Sequence, residues 1–268
     1  GVLEYANGDR YAGTWLLDMR EGEGEIVYAD GDIYKGGWSG DKRSGKGIYY
    51  WIDGSYYSGE WNDDLREGIG VMFWADSTQY KGGWKSGKRD GQGVYTGKEY
   101  SYSGTWKNDR KEGNGECRFY SGDVYIGNFK NGLINGKGVY QYVNGDKYQG
   151  TFLNGQADGN GLFVWADGSE YDGDWKNNKR EGKGRMKWAN GDSYYGDWKD
   201  DKPSGSGSMA LSDGNKYRGE FSQGVVHGKG LVIEPDGTQY EGVFDNGKRV
   251  GVFIVKNSDG KEINRITY

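Results

Sequence analysis

The sequence predicts an all-β chain, an elongated single-layer twisted antiparallel sheet built of tandem β-hairpins, and three observations predict it. First, a Tyr recurs at Tyr11, Tyr34, Tyr57, Tyr80, Tyr102, Tyr125, Tyr148, Tyr171, Tyr194, Tyr217 and Tyr240, with a step of 23 everywhere except 22 between Tyr80 and Tyr102. Second, a Gly follows each Tyr two places on and a Trp or Phe four places on, and apolar and polar residues alternate around them. Third, the runs between are short and rich in Asn, Asp and Gly. One fixed period means a stack of one supersecondary unit. Alternation by two means strands rather than helices.

With the Tyr as place one, the eighth repeat shows each element in order. Tyr171, Gly173 and Trp175 occupy places one, three and five of a first strand. Lys176 to Glu181 form a turn. Gly182, Gly184, Met186 and Trp188 stand at places twelve, fourteen, sixteen and eighteen of a second strand, and Ala189-Asn190-Gly191-Asp192-Ser193 leads to the next Tyr. A hairpin turn centred on places eight and nine would set Trp175 opposite Gly182 and Gly173 opposite Gly184, so that a ring could lie flat over bare backbone. Place sixteen (Tyr49, Met72, Tyr140, Phe163, Met186) and place eighteen (Trp51, Trp74, Tyr142, Trp165, Trp188) then share one aromatic face with the Tyr and Trp of the first strand. Residues such as Asp172, Asp174, Lys183, Arg185 and Lys187 face the other way. That second face is least polar at Ile48, Tyr50, Val71, Phe73 and Val94.

These residues, as in Tyr34-Lys35-Gly36-Gly37-Trp38 through Gly45-Lys46-Gly47 to Trp51 and Gly54, resemble the MORN repeat (membrane occupation and recognition nexus). The resemblance covers about eleven tandem repeats plus a leading half. It implies the hairpin sheet read above. It also implies a non-enzymatic scaffold, since similar arrays hold partner helices in an aromatic groove or self-associate, and several serve cytoskeletal or ciliary assemblies. Two alternatives come with it: a module that binds phosphoinositides or anionic membranes, and a regulatory repeat domain of an enzyme whose catalytic part lies outside this chain.

Composition narrows the choice. No stretch approaches the ~20 apolar residues that span a bilayer as a helix. The net charge of −5 supplies no global basic field for nucleic acid. One Cys permits no internal disulfide and fits a reducing, cytoplasmic setting. Gly1, Tyr5 and Gly8 stand in the phase of a second half-repeat, so the chain is expected to start within a repeat. The array is expected over residues 1–251 and a capping hairpin over 252–268, because Phe253 replaces the second Gly and a strand with Ile263 and Ile266 follows. Repeat four is one residue short, with Gly97 at place eighteen, so strand pairing should change locally, with a bend or a change of twist near residues 94–101.

No residue pattern points to catalysis, a metal or a cofactor. His227 is expected in a turn before Gly228, with no nucleophile beside it. Cys117 falls at a core place and reads as a packed thiol. Gly22-Glu23-Gly24 lacks the strand-to-helix context of a phosphate loop. Asp30-Gly31-Asp32 lacks the ligand series of a calcium loop. Basic pairs recur at one turn: Lys42-Arg43, Lys88-Arg89, Arg110-Lys111, Lys179-Arg180 and Lys248-Arg249. They would line one sheet edge as a lipid-phosphate site or stand as a solvated loop, and Asp90, Glu112 and Glu181 beside them weaken the potential. The partner-contacting residues are expected at places sixteen and eighteen, with Tyr140, Tyr142, Phe163, Trp165, Met186 and Trp188 central.

Overall fold

The computed structural model describes residues 1–268 and contains twenty-four strands and no helix. By contacts the chain divides into two units, Gly1–Leu133 and Ile134–Tyr268. The first carries β1 (Val2–Glu4), β2 (Arg10–Leu16), β3 (Met19–Val27), β4 (Ile33–Ser39), β5 (Lys42–Tyr50), β6 (Tyr56–Asn62), β7 (Leu65–Phe73), β8 (Gln79–Lys85), β9 (Lys88–Thr96), β10 (Tyr100–Lys107), β11 (Arg110–Phe119) and β12 (Val124–Lys130). The second carries β13 (Leu133–Gln141), β14 (Lys147–Leu153), β15 (Gln156–Val164), β16 (Glu170–Lys176), β17 (Lys179–Lys187), β18 (Ser193–Lys199), β19 (Lys202–Ala210), β20 (Lys216–Ser222), β21 (Val225–Ile233), β22 (Gln239–Asp245), β23 (Lys248–Lys256) and β24 (Glu262–Thr267). Within each unit every strand pairs antiparallel with its neighbours in sequence.

A sheet without a second layer must build its core on its own face. The place-one Tyr does this by lying over the two glycines of its hairpin, in every repeat whose contacts are described except that of Tyr240. Tyr34 is fully buried, and a Cβ on Gly47 would stand 2.6 Å from its ring carbons. Its hydroxyl donates to the Gly37 carbonyl at 2.9 Å. Trp38 meets the ring edge-on at 5.2 Å and Trp61 of the next repeat at 5.5 Å. The Trp61 indole N–H then donates to the Gly47 carbonyl at 3.2 Å. Tyr and Trp or Phe thus alternate in T-shaped contacts, a geometry that favours ring edges on ring faces.

The expected pairing holds for the glycines and fails for the Trp. Gly173 opposes Gly184, but Trp175 pairs with Arg180, and across the other side with Gly159. The hairpin turn is the cause. It is a two-residue turn at Asn177 and Asn178, with φ of 49° and 66°, and it sits one place earlier than the expected centre. The second strand therefore carries extra residues between Arg180 and Gly184, taken up as a bulge at Gly182 with φ 63°. Gly182 faces Trp198 of the following repeat instead.

Both margins of the sheet are laddered from repeat to repeat. On the hairpin-turn margin the Asp41 amide donates to the Arg20 carbonyl at 3.1 Å, and the Arg20 amide donates back to the Asp41 carboxylate at 2.9 Å. On the other margin Asp32 accepts the Ile52 amide at 2.9 Å, and Ser55 accepts that of Ala75 at 2.9 Å.

At the short fourth repeat the connection shrinks to residues 97–99, and the pairing changes locally by one added pair, Tyr100 with Phe119, while the register holds. Tyr102 opposes both Tyr95 and Cys117, and β9–β10 carries no register shift. A Cβ on Gly97 would stand 2.6 Å from the Tyr95 ring, which accounts for the Gly. The last hairpin solves the missing Gly from the opposite strand: Phe253, fully buried, lies over Gly242 and meets Phe244 edge-on at 5.2 Å. Strand β24 closes on β23 with Val252 opposite Thr267.

Candidate partner-binding face

Once Tyr and Trp have closed the core, a row of rings is left above it. At place sixteen Tyr49, Tyr140 and Phe163 are half-buried, as are Trp51, Trp74, Trp165 and Trp188 at place eighteen, while Tyr142 is 37 % exposed. Place eighteen lies just past the strand, where the Trp51 amide donates to the Ser55 carbonyl at 2.9 Å. The ring still folds back on the place-sixteen ring of its own repeat. Tyr49 and Trp51 lie 4.7 Å apart, Tyr140 and Tyr142 4.5 Å, Phe163 and Trp165 4.6 Å. Tyr142 also reaches Phe163 at 5.9 Å, so rings of successive repeats touch. The Tyr49 hydroxyl donates to Asp32 at 2.7 Å, and burial first, then that carboxylate, pushes its pKa well up.

Met72 and Met186 are corrected by the structure. Both sit at place sixteen, but they are only 5 % and 3 % exposed. A flexible thioether sinks between the core rings, and the guanidinium of Arg66 or Arg180 closes over it with N···S of 3.8 Å. Neither offers surface to a partner.

The basic pairs separate into two kinds. The second member is the second residue of its strand and turns onto the aromatic face. Arg43 lies 4.4 Å over Trp61, and its Nε donates to Asp64 at 2.9 Å. Arg89 does the same with Trp106 and Asp109, and Arg180 with Trp198 and Asp201. Lys111 stands 4.4 Å over Tyr100, and burial lowers its pKa. These cations serve as clasps between repeats. The first members stay outside. Lys42 faces Asp63 at 3.3 Å and Lys179 faces Asp200 at 2.8 Å, while Lys88 and Arg110 are exposed. Arg20 and Arg66 belong to the same clasp, over Trp38 and Trp84. Sequence reading passed them by because Met19 and Leu65 precede them and no basic pair forms. Their fixed place ten was the available signal.

His227 lies in β21 rather than in a turn, and its Nδ1 accepts the Asn246 amide at 3.4 Å. Place eleven does this in other repeats through a carboxylate, as Glu21 does for Gly40 at 2.9 Å. Cys117 is buried, which raises its thiol pKa and keeps it protonated. No cluster of three or more His, Cys, Asp or Glu is placed to hold a metal ion. No helix is long and apolar enough to cross a membrane.

The MORN repeat family model matches eleven consecutive segments: residues 11–33, 34–56, 57–79, 80–101, 102–124, 125–147, 148–170, 171–193, 194–216, 217–239 and 240–252. The comparison with curated proteins gave no match. Among solved structures, the chain is similar to the TCP domain of SAS-4 (dCPAP) of Drosophila melanogaster in complex with a proline-rich motif of Ana2 (dSTIL). Identity is 14 %, coverage 63 % of this chain and 86 % of that one, and the TM-score 0.34. It is also similar to the TCP10 domain of Danio rerio CPAP in complex with a peptide of Danio rerio STIL, at 11 % identity, 96 % and 99 % coverage and a TM-score of 0.25.

Proposed function

The chain belongs to the MORN repeat family, and from that premise we propose that it is a non-enzymatic scaffold that holds a protein partner against the row of place-sixteen and place-eighteen rings. The observation that carries this is the division of labour on the aromatic face. The place-one Tyr and place-five Trp are consumed in the core, and Tyr140, Tyr142, Phe163, Trp165 and Trp188 remain above it. Contiguous apolar surface of this kind marks interaction sites, and Tyr and Trp dominate the energetics of such contacts. The occupant we favour is an apolar face of a helical segment, in a cytoskeletal or ciliary assembly. The basic edge is the weaker site, because Arg43, Arg89 and Arg180 are already spent between repeats.

The test uses the intact chain as bait with quantitative mass spectrometry of what it retains. Trp165→Ala and Trp188→Ala should each cost the partner on the order of tenfold in affinity, since one buried large ring contributes about 2 kcal/mol. Added salt should change little. Loss of the same partner from a Lys88→Ala, Arg110→Ala variant, with full retention by the folded Trp variants, would move the site to the basic edge.

A further inference from the structure

The face opposite the rings carries a second feature, confined to β17–β20. In most repeats places fifteen and seventeen are apolar or uncharged, as in Ile48 and Tyr50, Val71 and Phe73, Leu162 and Val164, or Leu231 and Ile233. In β17 both are basic, Arg185 and Lys187, and both are exposed. Three strands on, β20 presents exposed Lys216 and Arg218 at the same level. The pairing sets out the floor between them: Arg185 opposes Tyr195, which opposes Ser208, which opposes Arg218, and Lys187 leads through Ser193 and Ala210 to Lys216 in the same way. Two columns of cations therefore stand roughly 14 Å apart, three strand spacings, across a strip of hydroxyls.

A recess of about 450 Å³ opens on this strip, lined by Arg185, Lys187, Ser193, Tyr195, Ser208 and Ala210 among others. None of the four cations forms an ion pair, whereas Lys183 beside them is held by Asp197. Arg185 stands opposite Asp172 yet turns away from it, over the exposed Tyr195 ring at 5.9 Å. Guanidinium and ammonium groups without a carboxylate partner, set beside hydroxyl donors, suit a phosphoryl group, which takes several charge-assisted hydrogen bonds at once. The repeat itself does not require any of these residues, because its core and clasps are complete without them.

We propose that this recess binds a phosphorylated segment of a protein, its phosphate held by Arg185 and Lys187, with a neighbouring side chain against Tyr195 and with Arg218 and Lys216, one strand beyond Ser208 and Ala210, meeting the anionic segment where it leaves the recess. Carboxylates bound the strip, Glu170 and Asp172 on β16 and Glu220 on β20. A flat anionic bilayer would press on them together with the cations, while a single phosphoryl group on a chain meets only the strip. The site lies apart from the rings and stands independently of what they bind.

The test measures fluorescence anisotropy of the intact chain with a labelled degenerate phosphoserine peptide library, its unphosphorylated twin, and phosphatidylcholine vesicles carrying phosphatidylinositol bisphosphate. The phosphorylated library should bind at least about tenfold tighter than its twin, and Arg185→Gln with Arg218→Gln should remove about tenfold, as expected for lost charge-assisted bonds. Lys88→Ala should leave binding unchanged. Should the double variant unfold, Lys187→Gln with Lys216→Gln gives the same reading. Equal binding of the twin, undiminished binding by both folded variants, or binding to vesicles without phosphopeptide preference overturns the proposal.

Discussion

Replacing Gly47 by alanine puts a methyl group where the Tyr34 ring lies. The added Cβ would stand 2.6 Å from two ring carbons, where carbon atoms settle at ~3.5–4.0 Å. About 1 Å must be found, and the ring has no room to give it. Tyr34 is fully buried, with Trp38 and Trp61 edge-on at 5.2 and 5.5 Å and its hydroxyl tied to Gly37. Overpacking of this kind costs about 1–3 kcal/mol, and a disturbed hydroxyl bond adds about 1 kcal/mol. A loss of about 3 kcal/mol is therefore expected. Gly47 does not need a left-handed backbone, so the contact alone carries the penalty. Urea unfolding followed by Trp fluorescence measures it, and amide exchange in β4–β6 shows whether the loss stays local, as expected in a repeat array. The neighbouring Lys46→Ala, exposed, should shift stability by less than ~0.5 kcal/mol. Adding Tyr34→Ala to Gly47→Ala should cost less than the two separately, because the ring is what the methyl meets. A Gly47→Ala protein as stable as the parent would refute the account of the core.

Two further predictions follow from the same contacts. Arg180→Ala removes a guanidinium 4.5 Å over Trp198 and bound to Asp201 at 3.2 Å, so about 2 kcal/mol should be lost; Lys179→Ala, in an exposed pair, should leave the unfolding curve where it was, and equal effects would contradict the clasp. Tyr80, Tyr125, Tyr148 and Tyr217 have pKa values pushed from 10.0 up to about 12, chiefly by burial. The folded chain keeps these protons while the unfolded chain releases them from about pH 10, so their contribution is whole below that pH and is lost as pH rises towards 12. Tyrosinate absorbance of these residues should therefore rise together with loss of the circular dichroism signal, and complete ionisation of a still-folded chain would refute it.

The period and alternation made the hairpins, the Gly173–Gly184 pairing and the shared aromatic face legible, because each depends on spacing alone. The register of Trp175 was not, since it depends on where a two-residue left-handed turn falls among several Asn and Lys that would all serve. The clasp was hidden for another reason. A charge at a turn reads as solvated, and only the spacing of adjacent strands carries Arg43 over the Trp61 ring. Met72 and Met186 looked like surface at place sixteen; their depth is set by the arginine that covers them. Arg185 and Lys187 were placed on the correct face, but their lack of carboxylate partners became visible only with side-chain geometry.

The ladder along the hairpin-turn margin also imposes an order in time. Arg20 exchanges two hydrogen bonds with Asp41, and Arg43 exchanges the same two with Asp64, each time 21 residues further along. A ribosome delivers the chain from its first residue. A hairpin that has just emerged therefore holds an amide, a carbonyl and a guanidinium without their mates, and the indole that the guanidinium will cover arrives with the next hairpin. Growth is then a moving front one repeat deep, with every hairpin behind it sealed and the newest always unfinished. Strand β24 docks on β23 in its turn, the Tyr268 amide closing on the Gly251 carbonyl at 2.9 Å.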